Sequence, residues 1–406
     1  MSSVWSNWMR SAASAFAPAD GAPEGALGPA ALHAIPSARA IAAIRRRTCI
    51  DASGTGLSKR ERLTRCMVVP SHLRALHTED KEAITDLGPI TVAPPGERRS
   101  GYFTFTRDPA LAKYSWPFFS ITGRREGPTF LITAGIHAAE YTGIDAAMRL
   151  GRMLDPGQLR GRVLIIPLLN RPGFYERSIY VNPEDNDNMN RVFPGRPDGT
   201  WSERFAHWLL NEVIAQCEYA VDLHAGDMIE DLVPFVTYRE TGNTDVDGRA
   251  RRMADAYGAE WLVKAMPTGE RSGLLFAAAA ARGVAAMIAE SGRIGQVEAD
   301  AVARHVDGVQ NILRTVGVLD GEPARVAPAR VLNRFEWLRS PVEGFFRCAV
   351  RVGDRVKKGQ ALGEMVDLLG ERLEAIESSV DGIVLFLVTS PAIKKDGLLL
   401  GVGVPA

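Results

Sequence analysis

The sequence predicts an α/β fold with a mostly parallel central sheet, followed by a small all-β domain. From about Pro117 onward, short apolar runs alternate with segments whose apolar residues recur at helical spacing. After about Pro323 the helical pattern stops, and short apolar runs are separated by Gly-Asp, Gly-Gln and Asp-Gly turns. Alternating strands and helices are typical of layered α/β proteins, whose ligands gather at the carboxyl ends of the parallel strands.

Each predicted element of the α/β domain has its own local signal. Apolar runs predict buried strands over residues 129–133, 162–169, 219–223 and 283–289. Helices alternate with them, over residues 141–154, 200–217 and 296–316. The first helix ends before Pro156 and Gly157, because these residues disfavour its continuation. The second begins with a capping box formed by Thr200 and Glu203, and the third has apolar residues at helical spacing.

The C-terminal segment, residues 324–406, resembles the barrel-sandwich shape of biotinyl and lipoyl domains. Those carriers attach their cofactor to a lysine in a hairpin turn. The corresponding residues here, from Glu364 to Asp367, include no lysine. We therefore expect the shape of such a domain without its carrier function.

Composition limits the class of protein and its partners. The 406 residues are 46% hydrophobic and 24% charged, which is ordinary for globular proteins and allows one large and one small domain. Lys+Arg and Asp+Glu both number 48, so net charge does not favour nucleic acid or an anionic membrane as a partner. No apolar run reaches the roughly 20 residues that span a bilayer. We expect neither partner, and a homo-oligomer stays open.

The cysteines and the N-terminal segment bear on localisation. The four cysteines are scattered and form no C-x-x-C pair, which favours a cytoplasmic protein over a disulfide-linked one. The first 70 residues are rich in Ala, Ser, Pro and Gly and poor in acids. We predict a poorly ordered extension over residues 1–70, with a transit peptide as the alternative and Met67 as a possible start. The remaining domains are then 71–323 and 324–406.

Candidate metal ligands follow two of the predicted strands. His137 and Glu140 are three residues apart, directly after strand 129–133, and His224 follows strand 219–223. An imidazole and a carboxylate at this spacing can share one face of a helix start and reach one ion. Two histidines and one carboxylate are the ligand set of a catalytic zinc with an open fourth position. Because an H-x-x-E pair alone is weak, the prediction depends on the placement at strand ends.

The region from His137 to Gly295 resembles the succinylglutamate desuccinylase/aspartoacylase family, within the zinc carboxypeptidase-like superfamily. The matching pieces occur in the family's order, at residues 135–140 (GIHAAE), 188–195 (NMNRVFPG), 222–226 (DLHAG) and 290–292 (ESG). The resemblance implies a zinc-carboxypeptidase-like α/β/α domain and hydrolysis of the amide bond of a small N-acyl amino acid. It also implies one Zn²⁺ per chain, held by the three predicted ligands.

The family's remaining site residues can be assigned one by one. Glu290 matches the general base, which takes a proton from water and passes it to the leaving amine. Asn190 and Arg191 match the pair that binds the substrate carboxylate, a task suited to the planar arginine fork. Relatives place a further arginine before this pair to polarise the carbonyl. The nearest upstream candidates are Arg177, 13 residues before Asn190, and Arg171, and we assign the role to Arg177. Asp222 either orients a metal ligand or is hydrogen-bonded for structural reasons.

Three functions remain open from the sequence. The first is a zinc-dependent deacylase of N-acyl amino acids, acting through metal-activated water. The second is a zinc carboxypeptidase acting on short peptides, because the superfamily shares this site. The third is a catalytically inactive binding protein on the same fold. The combination of His137, Glu140, His224 and Glu290 favours an enzyme over the third.

Overall fold

The computed structural model describes residues 92–106, 108–265 and 273–405. The extension predicted over residues 1–70, including Met67, lies outside them. The described strands are β1 (Arg98–Phe103), β2 (Trp116–Thr122), β3 (Arg125–Ala134), β4 (Arg160–Ile166), β5 (Tyr219–His224), β6 (Glu230–Leu232), β7 (Phe235–Arg239), β8 (Trp261–Ala265), β9 (Ala285–Glu290), β10 (Arg330–Arg339), β11 (Gly344–Cys348), β12 (Arg355–Val356), β13 (Ala361–Val366), β14 (Arg372–Glu377), β15 (Gly382–Val388), β16 (Ala392–Ile393) and β17 (Leu398–Pro405). The described α-helices are α1 (Tyr141–Met153), α2 (Arg171–Glu176), α3 (Trp201–Trp208), α4 (Thr244–Tyr257), α5 (Leu275–Ala281) and α6 (Ala299–Thr315).

The central sheet is mixed, so a mostly parallel sheet is not confirmed. Its strand order is β1-β2-β4-β3-β5-β9-β7-β8-β10-β17-β15-β12, with β6 paired to β15. Parallel pairing is found in two blocks, β4-β3-β5-β9 and β7-β8-β10. The other pairs in this sheet are antiparallel. Parallel neighbours require a long crossover connection, and several strands here, notably in the helix-free C-terminal segment, lack one.

The predicted elements that carry the site are present. The four predicted strands correspond to β3, β4, β5 and β9, and the helices over 141–154 and 296–316 correspond to α1 and α6. The second predicted helix, over 200–217, begins with the expected Thr200–Glu203 capping box. Its α-helical part ends at Trp208, however, and continues as a π turn and a 3-10 turn through Gln216. Strands β7 and β8 and helix α4 had not been predicted.

Helices cover both faces of the central sheet. Helices α1, α4 and α6 pack on one face, where Ile144, Met253 and Val309 join a single apolar cluster. Helices α3 and α5 pack on the other, where Phe205 and Phe276 join a second cluster. Adjacent residues of β3 belong to different clusters, because successive side chains of a strand point to opposite faces. The result is an α/β/α arrangement in which the polar residues at the carboxyl ends of β3, β5 and β9 lie at one edge.

The C-terminal segment is β-rich and extends the central sheet. Strand β10 pairs with β8 in parallel and with β17 in antiparallel orientation. A second sheet has four strands in the order β14-β13-β11-β16. Strand β15 pairs with β6, placing Val388 opposite Glu230 in the segment that follows β5. The C-terminal segment is thus hydrogen-bonded to a loop of the candidate site. None of the helices described is long and apolar enough to cross a membrane.

Candidate active site

The chain turns sharply after β3 and places two candidate ligands at the start of α1. Gly135 has φ +62°, and a Cβ there would lie 2.9 Å from atoms of Ile144 and Leu168, so only glycine fits without strain. His137 follows in the turn, and Glu140 is the N-cap residue of α1. The Glu140 carboxylate makes no capping hydrogen bond and remains available to the site.

The three predicted ligands converge on a common point. His137 Nδ1 lies 2.6 Å from Glu140 Oε1, and His224 Nδ1 lies 2.9 Å from Glu140 Oε2. All three side chains are buried, and one ligand atom from each lies within 4.8 Å of the others. The amide of Ala225 donates to Glu140 Oε2, which further fixes the carboxylate. The geometry therefore brings together the two histidines and the carboxylate that the sequence singled out.

In both imidazole rings, the nitrogen that does not face Glu140 also has a partner. His224 Nε2 lies 2.9 Å from Asp222 Oδ2, and Thr133 Oγ1 donates to Asp222 Oδ1 at 2.7 Å. His137 Nε2 lies 3.2 Å from Asn188 Oδ1. Because these partners are acceptors, each Nε2 donates to its outer partner, which leaves each Nδ1 as the atom that faces Glu140 and would bind a metal there. This arrangement is typical of metal-binding histidines, and the donor set fits zinc.

The carboxylate and the two histidines of this cluster change one another's pKa. Burial alone would raise the pKa of Glu140, but the positive charges of His224 and His137 outweigh burial and lower that pKa to about 2. Burial alone would lower the pKa of His224, but Glu140 and Asp222 raise it well above its usual range. Glu140 is therefore a carboxylate surrounded by groups that favour its negative charge, as a ligand for a divalent cation must be.

Glu290 is the last residue of β9 and pairs in register with His224 on β5. Burial raises the pKa of Glu290 well above its usual range, and the nearby acids Glu140, Glu230 and Asp222 raise it further. A carboxyl group in such surroundings holds a proton more tightly than one in water, which suits proton transfer. The structure thus places Glu290 next to the candidate ligand His224, and its role as general base stays a prediction.

Asn190 and Arg191 lie in a 3-10 turn, Met189–Arg191, beside the cluster. Asn190 is buried, and its Oδ1 accepts a hydrogen bond of 2.8 Å from Leu275 N at the start of α5. Arg191 Nη1 donates to Asn190 O at 2.7 Å. Burial lowers the pKa of Arg191 to about 10, while the charges of Glu140, Glu230 and Glu290 oppose that shift. Arg191 is therefore close to the site, and Asn190 also connects its loop to α5.

Arg177 is placed differently from the other predicted residues. It ends α2 in the left-handed conformation, with φ 54°, and its side chain is exposed. Burial raises the pKa of Tyr141, the residue after Glu140, and the charges of Asp227 and Arg177 act on it in opposite directions. Within the described residues, the Arg177 guanidinium makes no hydrogen bond to the candidate ligands. Its predicted role in polarising the carbonyl stays a prediction.

Several acidic side chains lie together beside the candidate ligands, and the sequence did not predict this arrangement. Tyr180 OH donates to Glu230 Oε1 at 2.7 Å, and Tyr180 N donates to Asp227 Oδ2 at 3.2 Å. The ring centroids of Tyr180 and His137 are 6.2 Å apart. Burial raises the pKa of Glu230 to about 8 and that of Asp227 to about 6. No sequence pattern singled out Tyr180 or Glu230, because the two residues lie in separate segments without a recurring spacing.

Comparison with known proteins identifies the domain that contains these residues. Residues 126–316 match the sequence model described as "Succinylglutamate desuccinylase/Aspartoacylase catalytic domain". This part of the chain is thus similar to the catalytic domain of the succinylglutamate desuccinylase/aspartoacylase family. The resemblance seen in the sequence is thereby confirmed. All seven predicted site residues fall inside the matched range: His137, Glu140, Arg177, Asn190, Arg191, His224 and Glu290.

Individual relatives extend the similarity beyond the catalytic domain. The N-alpha-acetyl-L-2,4-diaminobutyric acid deacetylase of Halomonas elongata is 28% identical over 262 residues, covering 64% of this chain and 76% of that protein. A succinylglutamate desuccinylase/aspartoacylase structure from Rhodobacter sphaeroides is 26% identical with a TM-score of 0.69, covering 78% of this chain and 98% of that one. The product-bound ectoine utilization protein EutE (DoeB) of Ruegeria pomeroyi is 26% identical with a TM-score of 0.70, covering 79% and 100%.

Proposed function

We propose that the protein is a zinc-dependent hydrolase that removes the acyl group from a small N-acyl amino acid. The observation that carries this proposal is the convergence of His137, Glu140 and His224, with Glu290 in register beside His224. The relative from Halomonas elongata is a deacetylase of an N-acetyl amino acid, which supports the same reaction class. The amide C–N bond breaks, a C–O bond forms from water, and the products are a carboxylic acid and a free amine.

The residues present fit a zinc ion, because two imidazole Nδ1 atoms and one carboxylate face each other with their outer partners already in place. When bound, zinc supplies Lewis-acid activation of the scissile carbonyl and of the attacking water. Glu290 takes the proton from water and delivers it to the amine as the C–N bond breaks. Because Glu290 ends β9, strand pairing sets its position relative to His224. Proton transfer and bond cleavage then take place close to each other.

Substrate recognition in this proposal depends on Arg191. Its side chain is half-buried and lies near the acids of the site, and a substrate carboxylate offers the guanidinium a planar, bidentate partner. Asn190 supports this loop through its hydrogen bond to Leu275. We therefore expect a substrate with a free α-carboxylate next to the acylated nitrogen. A dipeptide also has a carboxylate and an amide, so an experiment is needed to distinguish a carboxypeptidase from a deacylase.

The test is a substrate panel with the zinc-loaded protein. The panel contains N-acetyl-L-2,4-diaminobutyrate, N-succinylglutamate and a set of dipeptides, each with and without a chelator. We expect chelator-sensitive hydrolysis of at least one N-acyl amino acid at a higher kcat/KM than any dipeptide. Faster hydrolysis of dipeptides would instead establish a carboxypeptidase. Binding without turnover of any compound, with zinc present, would establish a binding protein.

A further inference from the structure

The middle of α6 contains a histidine that the proposed mechanism does not use. His305 is fully buried, with 0% of its surface exposed. Its Nε2 lies 2.9 Å from the main-chain oxygen of His224, and its Nδ1 lies 2.9 Å from the hydroxyl of Tyr257 on α4. The ring also interacts with the backbone of Ser291, the residue after Glu290. A side chain outside the metal cluster thus contacts the main chain beside both a candidate ligand and the candidate base.

The partners of His305 determine its tautomer. A carbonyl oxygen only accepts hydrogen bonds, so His305 Nε2 carries the proton and donates to His224 O. Nδ1 is then an acceptor and receives the hydroxyl proton of Tyr257. Both ring nitrogens are therefore satisfied in a buried environment, where an unmade hydrogen bond is costly. The hydroxyl of Tyr257 thus favours the tautomer of His305 that donates to His224 O.

His224 lies where the ladder between β5 and β9 ends. Its carbonyl oxygen accepts a hydrogen bond of 3.1 Å from Ser291 N as well as the one from His305. The first bond connects the end of β5 to the end of β9, and the second connects that junction to α6. Both lone pairs of this oxygen are thus occupied, which restricts rotation of the peptide that follows the His224 side chain.

We propose that His305 is a positioning residue, which with Tyr257 fixes the main chain of His224 relative to Glu290. This inference rests on the proposed function, because it concerns the spacing between a metal ligand and the general base. Outer partners of metal ligands commonly change metal affinity or activity by ~10–100-fold when they are replaced. His305 contacts the main-chain oxygen of His224 rather than the imidazole ring of His224.

Three variants and one control test the proposal. His305→Leu removes the donor, His305→Gln retains an N–H group that reaches toward His224 O, and Tyr257→Phe removes the hydroxyl that sets the tautomer. The control is Thr315→Val, because Thr315 also lies on α6 and its hydroxyl donates to the main-chain oxygen of Asn311 at 2.8 Å, at the end of the helix. For each protein, zinc affinity is measured by competition with a chromogenic chelator, alongside Tm, kcat and KM.

We expect His305→Leu to weaken zinc binding or lower kcat by ~10-fold or more, with KM little changed. His305→Gln should restore most of that loss, and Tyr257→Phe should show a smaller loss of the same kind. Thr315→Val should change at most Tm. If His305→Leu does not fold, Tyr257→Phe and His305→Gln still decide the question. Wild-type zinc affinity and kcat in all folded His305 and Tyr257 variants would overturn the proposal. Zinc affinity is read independently of turnover, so failure of the proposed reaction would appear separately, as an inactive wild-type protein.

Discussion

His224 and Glu290 are register partners on the adjacent parallel strands β5 and β9. The same ladder pairs Tyr219 with Ala285 at its other end, so the relative position of the two functional residues is set by the backbone pairing between them. A slip of one residue in this register would turn one of the side chains to the opposite face. Strand pairing therefore positions the two candidate residues with the precision that the proposed proton transfer requires.

The first prediction concerns zinc content. We expect one zinc per chain, lost in large part when His224 is replaced by Ala, because only two protein ligands remain. His207→Ala is the matched control, since His207 lies on α3 and bonds with Asn211 rather than with the cluster. Metal analysis after dialysis measures both. Stoichiometric zinc in the His224→Ala protein would show that His224 is not a ligand.

The second prediction separates proton transfer from metal binding. Glu290→Gln should fold and bind zinc but lose at least ~10²-fold in kcat, because an amide cannot take the proton from water. Glu212→Gln, an exposed position on the same domain, should retain full activity. Steady-state kinetics and metal analysis of the two variants give the comparison. Near-normal turnover by Glu290→Gln would remove Glu290 from the mechanism.

The third prediction concerns recognition of the carboxylate. Arg191→Lys retains the positive charge but loses the bidentate fork, so KM should rise more than zinc content changes. The free-acid substrate should also be preferred over its neutral amide. Comparing kcat/KM for the two compounds in the wild-type and variant proteins tests this. An amide hydrolysed as well as the acid by the wild-type enzyme would mean that Arg191 has a structural role.

The fourth prediction concerns the N-terminal segment. Deleting residues 1–66 should leave folding and activity largely intact, because the segment has a biased composition and contains none of the predicted site residues. Thermal unfolding and the substrate panel measure the outcome. An insoluble or inactive truncated protein would instead assign the segment a role in the domain or in an interface between subunits.

The sequence predicted the site where local signals sufficed. The apolar runs of β3, β5 and β9 are each followed by a residue of the candidate site. The sequence alone therefore predicts that His137, His224 and Glu290 lie at one edge of the sheet. The antiparallel position of β7 next to β9 could not be predicted, because the choice of neighbour depends on non-local pairing. The sheet is accordingly mixed rather than mostly parallel.

Other roles depend on contacts that no sequence spacing encodes. Asn190 matches a substrate-binding position, yet its side chain also caps α5 through Leu275 N, 85 residues away. His305 on α6 had no sequence signal at all, since a single histidine on an amphipathic helix is usually a core residue. The domain boundary at residue 323, cytoplasmic localisation and assembly into a homo-oligomer stay predictions.

The most direct measurement is a zinc titration of the metal-free protein, monitored by release of the amine from an N-acyl amino acid such as N-acetyl-L-2,4-diaminobutyrate. We predict that hydrolysis rises linearly and reaches a plateau at one zinc per chain, and that His224→Ala shows no such rise. Hydrolysis that is equally fast without zinc, or a wild-type protein that binds one zinc per chain and hydrolyses none of the N-acyl amino acids, would contradict the account.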